Sequence, residues 1–140
     1  MTRVRATRPI AADPTSTALL LAGPTALDLW PGARRGDEVA GGVLVVADLP
    51  APRSGSTAVI VRAQPPRRTP VSFVTRFSWQ GSDLPAVDGS LTLLYDGPHA
   101  TRAVLELDAS GDVVSRGLPA MAEGFLANLA AAAEARAYAA

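Results

Sequence analysis

The chain contains no cysteine, no lysine and one histidine, and only 5% of its residues are aromatic. Without cysteine there is no disulfide framework, no thiolate zinc site and no cysteine nucleophile. A lone histidine cannot supply a transition-metal ligand set, and the carboxylates are scattered, so no metal is expected. Neither GxxxxGK[ST] nor GxGxxG occurs, which leaves nucleotide and dinucleotide binding unsupported, and no cofactor is expected. Thirteen basic residues balance thirteen acidic ones, so no field steers the protein toward nucleic acid. No run of eighteen apolar residues exists, and "TALLLAG" is too short and interrupted for a secretory segment. The expectation is a cytoplasmic protein with no membrane span.

What is present is a chain of 140 residues with 48% hydrophobic content, enough to bury a core in one domain, residues 1–140. "TRVRATRPI" sets Val4 and Ala6 against Arg3, Arg5 and Thr7, the period of two of a strand with one wet face. In "DPTSTALLLAGPTALDLWPG", Asp13 is a helix cap, Pro14 occupies a first helical position, and Gly23-Pro24 is a stop. A second short helical piece carries Ala26, Leu27 and Trp30 and ends at Pro31-Gly32.

From residue 33 the pattern becomes strands divided by turns. "ARRGDEVAG" reads as a weak exposed strand, while "GGVLVVADLP" and "TAVIVRAQ" are strong β-branched ones. "VSFVTRFSWQ" places Val71, Phe73, Thr75, Phe77 and Trp79 on one face, with Arg76 on the other. "GSDLPAVDG" reads as a connection, followed by a hairpin, "SLTLLYDGPHATRAVLELDASG", with "DGPHA" at its tip. The last segment, "LPAMAEGFLANLAAAAEARAYAA", is a long helix whose stripe is Leu118, Met121, Ala122, Phe125, Leu129 and Ala132. Strands in the middle and one long terminal helix define an α+β class.

Few side chains here suit acid–base chemistry. His99 lies in the hairpin tip, where an exposed turn residue is the plain reading. Arg34-Arg35 and Arg67-Arg68 sit beside Gly or Pro in turns, and Arg62 and Arg76 lie opposite the apolar face, so all are read as solvated. Phe73, Phe77, Trp79 and Tyr95 on the sheet, with Phe125 on the helix, could line a pocket or simply fill a core. Thr75 falls among apolar residues and Tyr95 carries a hydroxyl near a strand end. Each needs a partner, either ligand or backbone, if buried.

The order of elements resembles the helix-grip fold of the START-like (SRPBCC) superfamily, which includes polyketide cyclases and aromatases, Bet v 1 allergens and lipid-carrying START domains. "ADPTSTALLLAGPTALDLWPG" is similar to that family's short-helix pair, "GSLTLLYDGPHATRAVLELDASG" to its last hairpin, and "LPAMAEGFLANLAAAAEA" to its gripping helix. The resemblance implies a curved antiparallel sheet wrapped around the C-terminal helix, with the two short helices closing one side of a cavity. It also implies a small hydrophobic or aromatic ligand there, bound by Trp30, Phe73, Thr75, Phe77, Trp79, Tyr95, Met121 and Phe125. A cyclase or dehydratase on the same fold is a second reading, and a fully packed interaction module, monomer or homodimer, a third.

Overall fold

The alternation of "TRVRATRPI" becomes strand β1 (Thr2–Ile10) in a computed structural model, which describes residues 2–22, 24–39, 42–48, 56–81, 84–109 and 117–139. Helix α1 (Pro14–Ala22) follows, and its start is built as the residue types require. Asp13 Oδ2 accepts the Ser16 amide at 3.0 Å and Oδ1 accepts the Ser16 hydroxyl at 2.7 Å, while Pro14 has no amide to leave unsatisfied. The Ser16 hydroxyl, and then its amide, hold the Asp13 carboxyl below its ordinary range. The second short piece is a 3-10 helix, Pro24–Leu29. It ends in a turn at Trp30–Gly32, where Ala33 N donates to Trp30 O at 3.2 Å and Gly32 adopts a φ of 74°. A side chain at Gly32 would be strained.

The strands are β2 (Ala33–Val39), β3 (Gly42–Asp48), β4 (Ser56–Ala63), β5 (Arg67–Arg68), β6 (Ser72–Gly81), β7 (Leu84–Tyr95) and β8 (Thr101–Ala109). They form one antiparallel sheet in the order β1-β8-β7-β6-β4-β3-β2, with β5 paired to the side of β6. The sheet curls around α2 (Leu118–Ala139), the long C-terminal helix. This is an α+β helix-grip architecture.

Two expectations change. Arg34 and Arg35 pair with Val46 and Val45, and Arg67 and Arg68 with Val74 and Phe73, rather than lying in turns, although Arg34, Arg67 and Arg68 remain exposed. "GSDLPAVDG" is mostly strand: β7 begins at Leu84, with Val87 opposite Trp79 and Gly89 opposite Phe77. The glycine there is a packing device. A Cβ at Gly89 would stand 2.3 Å from the Phe77 ring, so only glycine lets that ring lie across the neighbouring strand. Ser82, Asp83 and the "APRSGS" turn between β3 and β4, up to residue 55, lie outside the described residues, as does most of "GDVVSRG".

The core is concentrated where β1, β8 and β7 meet α2. Leu91, Leu93, Leu105 and Leu107 face Leu118, Leu126 and Leu129, all essentially without solvent exposure. On α2, Leu118, Ala122, Phe125 and Leu129 are buried as their spacing predicts, Met121 and Ala132 are half-buried, and Leu126, Ala130 and Ala133 join the buried face. Among the described residues no helix is long and apolar enough to cross a membrane.

Candidate functional site

The inward residues of β6 are Phe73, Thr75, Phe77 and Trp79, as the period of two requires. The turn after the 3-10 helix carries Trp30 beneath the short helices and against Phe77 and Trp79. Its indole stacks on Phe125 of α2, with centroids 4.1 Å apart and planes at 27°. It meets Trp79 edge-on at 5.1 Å and Phe77 edge-on at 5.4 Å, while Phe77 and Trp79 lie nearly parallel, 12° and 5.9 Å apart. Edge-to-face and offset-stacked contacts at these separations are the favoured aromatic geometries.

Two contacts fix the backbone on either side of Trp30 to α2. Asn128 Nδ2 donates to Leu29 O at 2.8 Å. Pro31 packs so closely on Gly124 that a Cβ there would stand 2.6 Å from its Cγ. Gly124, without a side chain, provides the landing for this turn.

Beside the aromatic cluster lies an apolar pocket of about 50 Å³, bounded by Leu21 and Leu27 from the short helices, Val61 and Thr75 from the sheet, and Phe125. Ala26, Trp30, Ala63, Phe77 and Leu91 complete its wall. An adjoining cleft of about 490 Å³ runs between the short helices and β2–β4, sharing Leu21, Ala26, Leu27, Val61 and Ala63 with the pocket. Glu38 and Arg62 sit at the cleft, and no titratable side chain among the described residues lines the pocket itself.

Thr75 stands out among the buried hydroxyls. Thr17 Oγ1 donates to Asp13 O at 2.9 Å, Thr101 Oγ1 to Ala12 O at 2.6 Å, and Ser72 shares a 2.6 Å hydrogen bond with Thr69. Thr75 Oγ1 is buried with no hydrogen-bond partner among the described residues, although buried polar groups are nearly always satisfied.

Of the eight residues expected at the site, Trp30, Thr75, Phe77 and Phe125 line this pocket. Trp79 reaches it through its contact with Trp30. Phe73 and Met121 are partly buried against the core without lining it. Tyr95 is elsewhere: it is 62% exposed at the last position of β7, beside the 67% exposed Val71, because the sheet ends there and its amide is engaged by Val71 O. His99 is exposed in the hairpin turn. Ala26 and Leu27, already placed beside Trp30 by helical spacing, are part of the wall; Leu21, Val61, Ala63 and Leu91 carried no sequence signal beyond hydrophobicity. Among the described residues no group of three or more His, Asp or Glu side chains is placed to hold a metal.

The architecture is that of the START-like helix-grip fold. Among solved structures, an aromatase/cyclase from Streptomyces superposes with a TM-score of 0.65 at 18% identity, covering 97% of this chain and 95% of its own. A START superfamily protein from Mycobacterium smegmatis gives 0.59 at 16% identity, over 96% and 95% of the two chains. A STAR-related lipid transfer protein from Xanthomonas axonopodis gives 0.62 at 13% identity, over 92% and 84%. At these identities the likeness is one of fold. No protein-family model matches the sequence, and no curated protein matches it.

Proposed function

We propose that this protein binds and carries a small hydrophobic or aromatic molecule between the short helices, the sheet and α2. The observation that carries the reading is the unpartnered Thr75 hydroxyl in an otherwise apolar pocket that adjoins an open cleft. A buried hydroxyl without a partner costs stability, and a ligand with one polar group would satisfy it. Ligand sites are commonly of this kind, mostly apolar with a few placed polar atoms. The fold is shared with a lipid transfer protein and an aromatase/cyclase, which supports the reading without selecting between carriage and catalysis. Cyclase or dehydratase chemistry requires a group that moves protons. Of Tyr95, Thr75 and an inward arginine, only Thr75 lines the pocket, and a threonine hydroxyl does not titrate near neutral pH. Carriage is therefore the better-supported function.

The test is thermal unfolding in the presence of a broad panel of apolar and aromatic compounds, with isothermal titration of each hit. A compound at 100 times its Kd adds about 2.7 kcal/mol to the folded state, raising Tm by roughly 8 °C in a domain of this size. A panel yielding no saturable binder would overturn the proposal.

A further inference from the structure

The pocket of about 50 Å³ is far below the several hundred Å³ of usual ligand sites. What limits it is a side chain of this same protein. Phe125 presents a face, Phe77 and Trp79 present flanking rings, and the planar group received among them is the Trp30 indole. Trp30 is only half-buried, whereas Trp79 is 9% exposed. Its residue belongs to a turn rather than a helix, and the ties to α2 engage its neighbours, through Leu29 O and Pro31. Its own backbone bonds stay within the turn, to Leu27 and Ala33. With the backbone clamped, side-chain rotation is the route left to the indole, and the cleft that shares Ala26, Leu27 and Val61 with the pocket adjoins it.

Resting on the carrier reading above, we propose that Trp30 is the resident occupant of the ligand seat. It is displaced by a neutral, flat molecule of two fused aromatic rings bearing one hydroxyl or carbonyl that reaches Thr75. Flatness follows from the seat, which already holds an indole. Two rings follow from the indole's size plus the pocket behind it. Neutrality follows from a lining without a charged side chain, where an unpaired ion would be costly. A single polar group follows from Thr75 Oγ1, which can donate to a carbonyl or accept from a hydroxyl. Because the seat is occupied at rest, the apparent affinity is lowered by the fraction of molecules with Trp30 swung out.

The experiment uses the full chain labelled with 5-fluorotryptophan, whose two fluorine resonances are assigned with Trp79→Phe, and two probes, 2-naphthol and 2-methylnaphthalene. In the wild type, 2-naphthol is expected to move the Trp30 resonance to a solvent-sensitive position. By isothermal titration, Trp30→Ala is expected to bind 2-naphthol at least about tenfold more tightly. Trp30→Leu serves if the alanine variant does not fold. Thr75→Val is expected to weaken 2-naphthol about fivefold and leave 2-methylnaphthalene unchanged. Binding of either probe with the Trp30 resonance unmoved, or with no gain in either Trp30 variant, overturns the displacement. An unchanged preference for 2-naphthol in Thr75→Val overturns the role of Thr75. If panel compounds bind while Trp30 stays in place, only this inference falls; if nothing binds wild type or variants, the carrier reading falls with it.

Discussion

The two halves of the sheet are built differently. Where β1, β8 and β7 lie against α2, side chains such as Leu93, Leu105 and Leu107 are fully buried, and every described buried hydroxyl nearby, Thr101 included, is bonded. Where β2, β3 and β4 face the short helices, the cover is uneven: Val45 and Val59 are buried, but Val43, Val61 and Leu21 are only partly so, the cleft opens, and Thr75 at the boundary lacks a partner among the described residues. The same curved sheet thus supplies a solid anchor on one side and an unfinished interior on the other. Stability and binding need opposite things from a core, complete packing and available space, and the fold separates them in position.

This contrast can be attacked by mutation. Leu105→Ala, in the solid half, is expected to cost about 3 kcal/mol, lowering Tm by roughly 10 °C. Val61→Ala only enlarges space that already exists and should cost about 1 kcal/mol. Equal losses in paired denaturant titrations would erase the distinction between the halves.

Asp13→Ala removes the cap of α1, the roof of the open half, and should cost about 1 kcal/mol at neutral pH. In hydrogen exchange, α1 amides should lose more protection than those of β8. The folded-state carboxyl lies below its ordinary value of 3.8. Its contribution is therefore complete above that value and disappears as pH falls through the lower folded one, so wild type and variant should converge in acid. A difference that persists there would remove the cap from the explanation.

Thr75→Val should act in the other direction, raising Tm of the unliganded protein by about 3 °C, since it deletes an unsatisfied hydroxyl at nearly constant shape. A loss of stability would mean that the hydroxyl is already satisfied, and the boundary between the halves would lie elsewhere.

Local patterns were legible in sequence in both halves. Alternation placed Thr75 and Phe77 inward, a 3.6-residue period found most of the α2 stripe, and the cap of α1 was written in "DPTS". Legibility failed where meaning depended on a neighbouring strand. Pro85 and Gly89 are turn formers locally, yet they lie in β7 because Gly89 must accommodate the Phe77 ring from β6. Tyr95 has inward parity but stands where the sheet ends, and parity carries no information about where a strand runs out of cover. The candidate site was half visible for the same reason: each ring lies at a readable position, while the pocket's volume depends on how rings from three separate segments stack.

The pairing of β1 with β8 sets Thr2 opposite Ala109, the first described residue against the last described residue of the sheet. During synthesis β1 therefore waits without its neighbour for about 100 residues, or roughly 5 to 20 s at ordinary elongation rates, and its apolar side chains cannot be covered before then. The aromatic seat waits longer still, because Phe125 arrives only with α2. Such non-local closure makes for slow folding, and it means that a nascent chain has nowhere to hold a ligand until α2 has been made.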